Sequence, residues 1–361
     1  MRILIIANST VGLVKFRKEL IERLSQNNKV YIATKCDECV DELTKLDVEE
    51  IEPLEMNRRG IDVFQEISLI HQIKLIIKRH KPQLIITYTV KPNIYAGLIA
   101  RLYNIPYAAN ITGLGTAFQK ENWLKKTIIF LYRIALKKAN VVFFENEGNK
   151  KVFIDNKVVK EEKCFVLNGA GVNIEEFELK PFPKEKDKVF IYMGRVMHEK
   201  GIDELFEAME MLHRKYPDSR LLVLGDYEEK YENKVNQLVE NNVIEYVGWV
   251  QDVKPYIEQA MCTILPSYHE GMSNTLLECA AMGRPIITSN IPGCREAVEN
   301  QISGFLVEVK NSLDLYEKMV QFYELPYEKK IQMGLAARKH VEKFFDKKQV
   351  VGNTINRMEI K

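Results

Sequence analysis

Short runs of apolar residues alternate with longer amphipathic stretches along almost the whole chain. The runs Ile3–Ala7, Val30–Thr34, Leu84–Tyr88, Tyr107–Ile111, Val141–Glu145 and Cys164–Leu167 are nearly continuous in Ile, Val, Leu, Tyr and Phe. Val189–Met193, Arg220–Leu224, Glu245–Val247, Met261–Leu265, Pro285–Thr288 and Gly304–Val307 continue the series. Strands without a polar face belong to parallel sheets covered by helices on both sides. Between them a 3.6-residue period predicts helices at Phe16–Ser25, Gln65–Arg79, Pro92–Tyr103, Asp203–Lys215, Lys230–Asn241 and Asn274–Met282. The predicted class is α/β, and roughly a dozen strands exceed what one open sheet holds comfortably.

The natural break is 168-NGAGVNIEEFELKPFPKEKD-187, rich in glycine, proline and charge, with a fresh strand directly after it. The pattern predicts a doubly wound, Rossmann-like domain over 1–167, a linker over 168–187 and a second such domain over 188–339. Two such domains facing across a cleft would bind ligand at the carboxyl ends of their strands. The tail 336-AARKHVEKFFDKKQVVGNTINRMEI-360 is helical in pattern with a weak point at Gly352. From about 340 to 361 it is expected to cross back onto the first domain.

Composition narrows the function. Of 361 residues 46% are hydrophobic, and the formal net charge is only +2, which argues against a dedicated nucleic-acid binder. The first 165 residues hold 27 of the 52 basic side chains but 19 of the 50 acidic ones. A basic first half and an acidic second half predict that the first half meets something anionic. Of the six cysteines only Cys36 and Cys39 form a CxxC pair. Its Asp37-Glu38 interior is unlike a redox motif and no second pair completes a zinc site, so reduced thiols are expected. The opening MRILIIANSTVG lacks a cleavage signal, and no run reaches the ~20 apolar residues of a membrane span, so a cytoplasmic location is expected. The six histidines show no metal spacing, although His198 and His269 flank the motifs described next.

Two stretches carry chemistry. In 191-IYMGRVMHEKGIDELFEAM-209 a strand ends at Met193, Gly194 turns, and a helix opens near Ile202, with Arg195 and Lys200 flanking the turn. Free amides at a helix N-terminus and two cations suit a diphosphate, although loop cations are more often simply solvated. In 266-PSYHEGMSNTLLECAAMGRP-285 a strand gives way to a loop and then a helix that stops at Gly283. Glu270 falls in the loop and Glu278 one turn into the helix, eight residues on. Each can accept hydrogen bonds from a diol, with the backbone from Gly271 to Thr275 between them available to anionic oxygens and Ser273 or Asn274 available as cap. A sugar, a diphosphate and a ribose have that order. Alone, two glutamates at this spacing equally describe a turn cap and a surface charge.

The order of motifs separates these readings. The segments 194-GR-195, 199-EKG-201, 223-VLGD-226, 246-YVGWVQD-252, 265-LPSYHEGMSNTLLECAAMGRPII-287 and 303-SGFLV-307 resemble, in order and spacing, the retaining glycosyltransferases of family 4, which carry a Glu-x7-Glu motif on the two-domain GT-B fold. The resemblance implies that Arg195 and Lys200 hold the donor diphosphate, Glu270 the donor sugar, and Glu278 the ribose. It places the base near Trp249 and Val250, and Gly271, Met272, Ser273, Asn274 and Thr275 along the phosphate and sugar. Glu270, Arg195 and Lys200 would be the catalytic residues. In the first half, Gly12 within 8-NSTVGLVKFRKEL-20 matches a family glycine that admits the donor. The segment 110-NITGLGTAF-118 resembles the CapM-like and PglA-like subfamily that builds bacterial capsule, O-antigen and glycoprotein glycans. Many relatives carry a histidine there. This chain has Asn110 and Thr112, followed by Gly113, so these are the acceptor-side candidates and the histidine's role is not carried over.

The implied substrates are a UDP-sugar, with an N-acetylhexosamine such as GalNAc favoured, and a saccharide on undecaprenyl diphosphate. The implied enzyme needs no metal and no cofactor beyond its substrates. The segment 120-KENWLKKTIIFLYRIALKKAN-140, with six cations and one acid, fits a basic amphipathic helix on an anionic inner leaflet, or equally a packing helix with snorkelling lysines. Three rivals stand beside this reading: a GT-B epimerase, a non-catalytic partner in polysaccharide assembly, and a dinucleotide-dependent dehydrogenase. The last is disfavoured because 8-NSTVGLV-14 lacks a GxGxxG turn.

Overall fold

A computed structural model describes residues 1–36, 39–56, 62–115, 118 and 123–360. Asp37 and Glu38 of the CxxC segment, Thr116 and Ala117, and Lys120 to Asn122 ahead of the basic helix therefore lie outside the described residues. The chain forms two compact units, Met1–Ala170 together with Lys348 onward, and Gly171–Lys347.

The first unit runs β1 (Arg2–Ile6), α1 (Thr10–Ser25), β2 (Lys29–Thr34), α2 (Val40–Thr44), β3 (Glu50–Pro53), α3 (Val63–His80), β4 (Leu84–Tyr88), α4 (Val90–Tyr103), β5 (Tyr107–Ile111), α5 (Trp123–Ala135), β6 (Val141–Phe144), α6 (Glu147–Asp155) and β7 (Cys164–Val166). Its strands form one parallel sheet ordered β3-β2-β1-β4-β5-β6-β7. Every residue of β4, β5 and β6 is buried, which is why they lack a polar face. One face of the sheet is covered by α3, α4 and α5 and the other by α1. The Arg17 guanidinium, on the buried side of α1, bonds Glu145 just past β6 at 2.7 Å and lies 4.9 Å over the Tyr88 ring. This buried pair ties α1 to the carboxyl edge of the sheet.

The second unit runs β8 (Val189–Met193), α7 (Ile202–Lys215), β9 (Arg220–Leu224), α8 (Glu232–Glu240), β10 (Ile244–Gly248), α9 (Lys254–Gln259), β11 (Cys262–Leu265), α10 (Asn274–Ala281), β12 (Ile286–Ser289), β13 (Gly304–Val307), α11 (Ser312–Glu324) and α12 (Tyr327–Phe344). Its parallel sheet is ordered β10-β9-β8-β11-β12-β13. A last helix, α13 (Lys347–Arg357), belongs almost wholly to the first unit: Val351, Ile355 and Met358 pack on the α1 side of that sheet, and Arg357 stacks 4.3 Å over Phe165.

Four expectations are corrected. Strand β3 escaped the periodicity because Glu50-Ile51-Glu52-Pro53 is charged and ends in proline, a composition that sheets tolerate at an edge. The stretch 171–187, expected as a free linker, is built into the second unit. Val172 donates to the Phe345 carbonyl and accepts from the Lys347 amide, and the Arg338 guanidinium bonds the carbonyls of Ile174, Phe177 and Ala281. The tail breaks at Phe345-Asp346, where that pairing falls, and Gly352 lies inside α13. The return to the first unit begins at Lys348 rather than near 340. Gly12, finally, sits in the first turn of α1 and not in a loop, its amide donating to the Ser9 hydroxyl that caps the helix.

Candidate active site

In the second unit the chemistry gathers where β8, β9, β10 and β11 end. The turn after β8 carries Arg195, and a short 3-10 turn over His198–Lys200 brings in Lys200 before α7 begins. Gly201 stands at the cap of α7 with φ 70°, and a side chain there would meet the Pro266 carbonyl oxygen at 2.1 Å. Only glycine lets this turn press on the start of the β11–α10 loop. Tyr268 then donates its amide to the Glu199 carbonyl at 3.0 Å, lacing the two loops.

This contact places Lys200 against Glu270. Its ammonium bonds Oε1 of the carboxylate at 2.5 Å, and Ser267 Oγ donates to the same oxygen at 2.8 Å. Both charged side chains are mostly buried. The loop after β12, which the motifs had not singled out, supports Glu270 from behind: Ser273 donates to the Gly293 carbonyl at 2.9 Å, and the Gly293 amide donates to Glu296. The Pro292-Gly293 pair after a strand was the available signal.

A second lacing holds Arg195. Gly225, at φ 130°, packs on the Gly194 backbone so closely that a Cβ would lie 2.1 Å from the Gly194 oxygen. Val196 donates to Asp226 and accepts from the Glu228 amide, and Tyr192 OH donates to the Arg195 carbonyl. Glu228 bonds the Arg195 guanidinium at 2.9 Å, and Glu229 takes the His198 amide. Glu228 and Glu229 were invisible to motif reading because they reach the site across 33 and 31 residues. His198 turns its ring to Asp203 and Tyr268, and His269 is exposed.

Helix α10 starts at Asn274 with Ser273 in the cap position, but the Ser273 side chain makes no cap bond, and Gly201, at the cap of α7, has no side chain to make one. The expectation that Ser273 or Asn274 caps α10 is therefore not met. Helices α7 and α10 both open directly after the two laced loops that bear Lys200 and Glu270, and helix starts of this kind suit anionic oxygens. Thr275 and Glu278 lie on α10, half-buried. Met272 is buried in the core, so only its backbone is available to a ligand. Trp249, half-exposed, and Val250 follow β10, whose Tyr246 ring stacks on Tyr227.

The family described as Glycosyl transferases group 1 matches residues 173–340, and that described as Glycosyl transferase 4-like matches residues 2–146. The chain belongs to the family 4 glycosyltransferases. One relative of this glycosyltransferase is the N,N'-diacetylbacillosaminyl-diphospho-undecaprenol alpha-1,3-N-acetylgalactosaminyltransferase of Campylobacter jejuni, 26% identical over 93% of this chain and 92% of the relative. The capsular polysaccharide biosynthesis glycosyltransferase CapM of Staphylococcus aureus is 25% identical over 80% and 79%. The crystal structure of Anabaena Alr3699/HepE in complex with UDP and glucose superposes with a TM-score of 0.82 over the whole of both chains at 16% identity, showing that the fold is GT-B.

In the first unit of the glycosyltransferase the acceptor-side candidates divide. Asn110 is buried and its amide donates to the Thr87 carbonyl, so it is engaged in holding β4 to β5. Thr112 and Gly113, just beyond β5, are partly exposed, with open space around Gly113. Among the described residues one cluster has metal-ligand geometry, Glu50, Glu52 and His80 on the β3 edge. Glu52 there is already bonded by Arg79 and His80; burial alone would raise its carboxyl, but those two partners hold it below its usual range. The cluster is an internally satisfied ion pair. No described helix is long and apolar enough to cross a membrane.

Proposed function

We propose that this glycosyltransferase moves an N-acetylhexosamine, with retention, from a UDP-sugar to a hydroxyl of a saccharide carried on undecaprenyl diphosphate. The observation that carries the reading is the Lys200–Glu270 pair between two uncapped helix starts: a cation for a departing diphosphate beside an acid for sugar hydroxyls. The Campylobacter relative's name gives the sugar and the lipid carrier, and the Escherichia coli UDP-Gal:alpha-D-GlcNAc-diphosphoundecaprenol alpha-1,3-galactosyltransferase, 26% identical over 80% of both chains, points to the same acceptor type.

In the proposed reaction the bond from the anomeric carbon to the diphosphate oxygen breaks, and the acceptor oxygen bonds the same face of that carbon. The acceptor's proton passes to the departing phosphate. Arg195, Lys200 and the amides opening α7 and α10 meet the charge that grows on the diphosphate, so the reading asks for no metal and no cofactor beyond the substrates. Glu278 meets the ribose diol, the backbone at Trp249 and Val250 meets the base, Gly12 admits the donor from the first unit, and Thr112 and Gly113 belong to the acceptor side. The enzyme works peripherally on the inner face of the plasma membrane. Exposed Trp123 and Phe130 on α5, with Lys125, Lys126 and Arg133, support that placement.

The test is transfer from a panel of UDP-sugars to a synthetic saccharide-diphosphoundecaprenol, with and without EDTA, followed by NMR of the new linkage. An α-linked product from one UDP-N-acetylhexosamine, insensitive to EDTA and abolished by Glu270→Gln, is expected. A β-linked product would overturn retention. Release of an epimerised sugar without transfer would replace transfer with epimerisation.

A further inference from the structure

The carboxyl edge of the first unit's sheet carries a groove of about 680 Å³ at its β3 end. Pro53, Leu54, Glu55 and Met56 at and after the end of β3 form one wall, and Phe64 and Ser68 on the first turns of α3 the other. Lys35, just past β2, stands at the side nearest β1. The α3 wall is fixed in place. Asp62 caps it by accepting from the amides of Phe64 and Gln65, and Glu66 binds both Lys91 and Tyr95 of α4. Even so, this firmly held turn presents Val63, Phe64 and Ile67 to solvent, exposed by 64%, 86% and 60%. A row of large apolar side chains on a well-anchored turn marks an interaction surface.

We propose that this groove seats the first isoprene units of the acceptor's lipid chain, with Val63, Phe64 and Ile67 dipping into the bilayer beside it. The inference rests on the lipid-linked acceptor proposed above. Three observations favour this occupant. The groove opens on the same sheet edge as Thr112 and Gly113 beyond β5. Four strand spacings separate β3 from β5, about 19 Å, room for the acceptor saccharide and its diphosphate to span from reaction to groove. The sheet order also sets Lys35 at the end of β2, between the groove and β1, where a cation meets the diphosphate that joins lipid to sugar.

The experiment compares one saccharide diphosphate carried on an undecaprenyl chain in vesicles or on an ethyl group in solution. Wild type, Ser68→Trp, which fills the groove from an exposed helix position, and Phe64→Glu are assayed with both. Wild type is expected to show a KM at least about tenfold lower for the polyprenyl form, and each variant to lose about that factor on it alone. Equal losses on both acceptors, or none, overturn the groove. So does Ser68→Trp shifting the oligomeric state, which would make this face a contact between copies. Transfer by wild type to the ethyl form with no preference for the polyprenyl form removes the groove and leaves the saccharide acceptor standing. Transfer to neither removes the acceptor reading and the groove with it.

Discussion

Glu228 holds Arg195 by one guanidinium nitrogen, and the same loop clasps the neighbouring backbone at Val196 and His198. A long, flexible cation in a donor site is effective only if its direction is set before the charge develops. Glu228 is therefore a positioning residue, and its removal separates binding from chemistry. Glu228→Gln takes away a negative charge beside the proposed diphosphate site, so UDP is expected to bind as tightly or more tightly while kcat falls. Calorimetric UDP affinity with initial rates reads both, and a kcat equal to wild type at unchanged affinity would show that Arg195 needs no such support. Motif order singled out Arg195, Lys200, Glu270 and Glu278 as candidates, and the structure pairs Lys200 with Glu270. The supporting Glu228, Ser267 and Gly293 were not singled out, because each is brought in by close backbone packing between loops, at Gly225 on Gly194, Gly201 on Pro266 and Gly293 on Glu270 and Gly271. Asn110 was legible as a position and not as a role, since its amide partner lies on the neighbouring strand.

Among the elements, α9 is a short helix that the apolar periodicity did not mark. Arg284 is fully buried, and its guanidinium bonds the carbonyls of Ile257 and Glu258, in the last turn of α9, and of Pro181. Burial pushes its pKa down to about 10, which leaves it charged at neutral pH. One side chain thus caps a short helix and fastens the 171–187 stretch to the second unit. Arg284→Met keeps much of the volume and removes its bonds to the Pro181, Glu258 and Ile257 carbonyls, of which Ile257 retains the Ala260 amide. It is expected to cost roughly 3 kcal/mol in urea unfolding, the order of a few lost buried hydrogen bonds. Arg284→Lys should recover little of that, because a single ammonium does not reproduce the planar fork. Full recovery by lysine would mean that charge rather than geometry matters. Strands buried on both faces were readable from apolar runs alone. The β3 edge and the break at Phe345 were not, the first for its charge and the second because backbone pairing with Val172 makes it.

At the scale of the whole chain the two units are not two consecutive pieces of sequence. The glycosyltransferase completes its first unit only with α13, after the entire second unit has been made. Doubly wound sheets and a crossing tail were legible from periodicity, whereas the crossing point depended on pairing that no local pattern encodes. The consequence is energetic. Val350 on α13 and Met358 just after it are buried, and Val351, Ile355 and, past the helix, Ile360 are packed against the α1 side of the sheet. Burying a Val, Ile or Met side chain contributes about 1.5–3 kcal/mol, so losing this helix removes stabilisation comparable to the ~5–15 kcal/mol that a domain has in total. Deleting residues 348–361 should therefore abolish the calorimetric transition of the first unit, or lower it by more than about 10 °C, while the second unit keeps its own transition. The second unit loses only contacts its own core does not use, since its buried cluster ends at Phe345. Two transitions at their original temperatures after the deletion would mean that the first sheet is closed without α13, contrary to the packing of Val351, Ile355 and Met358.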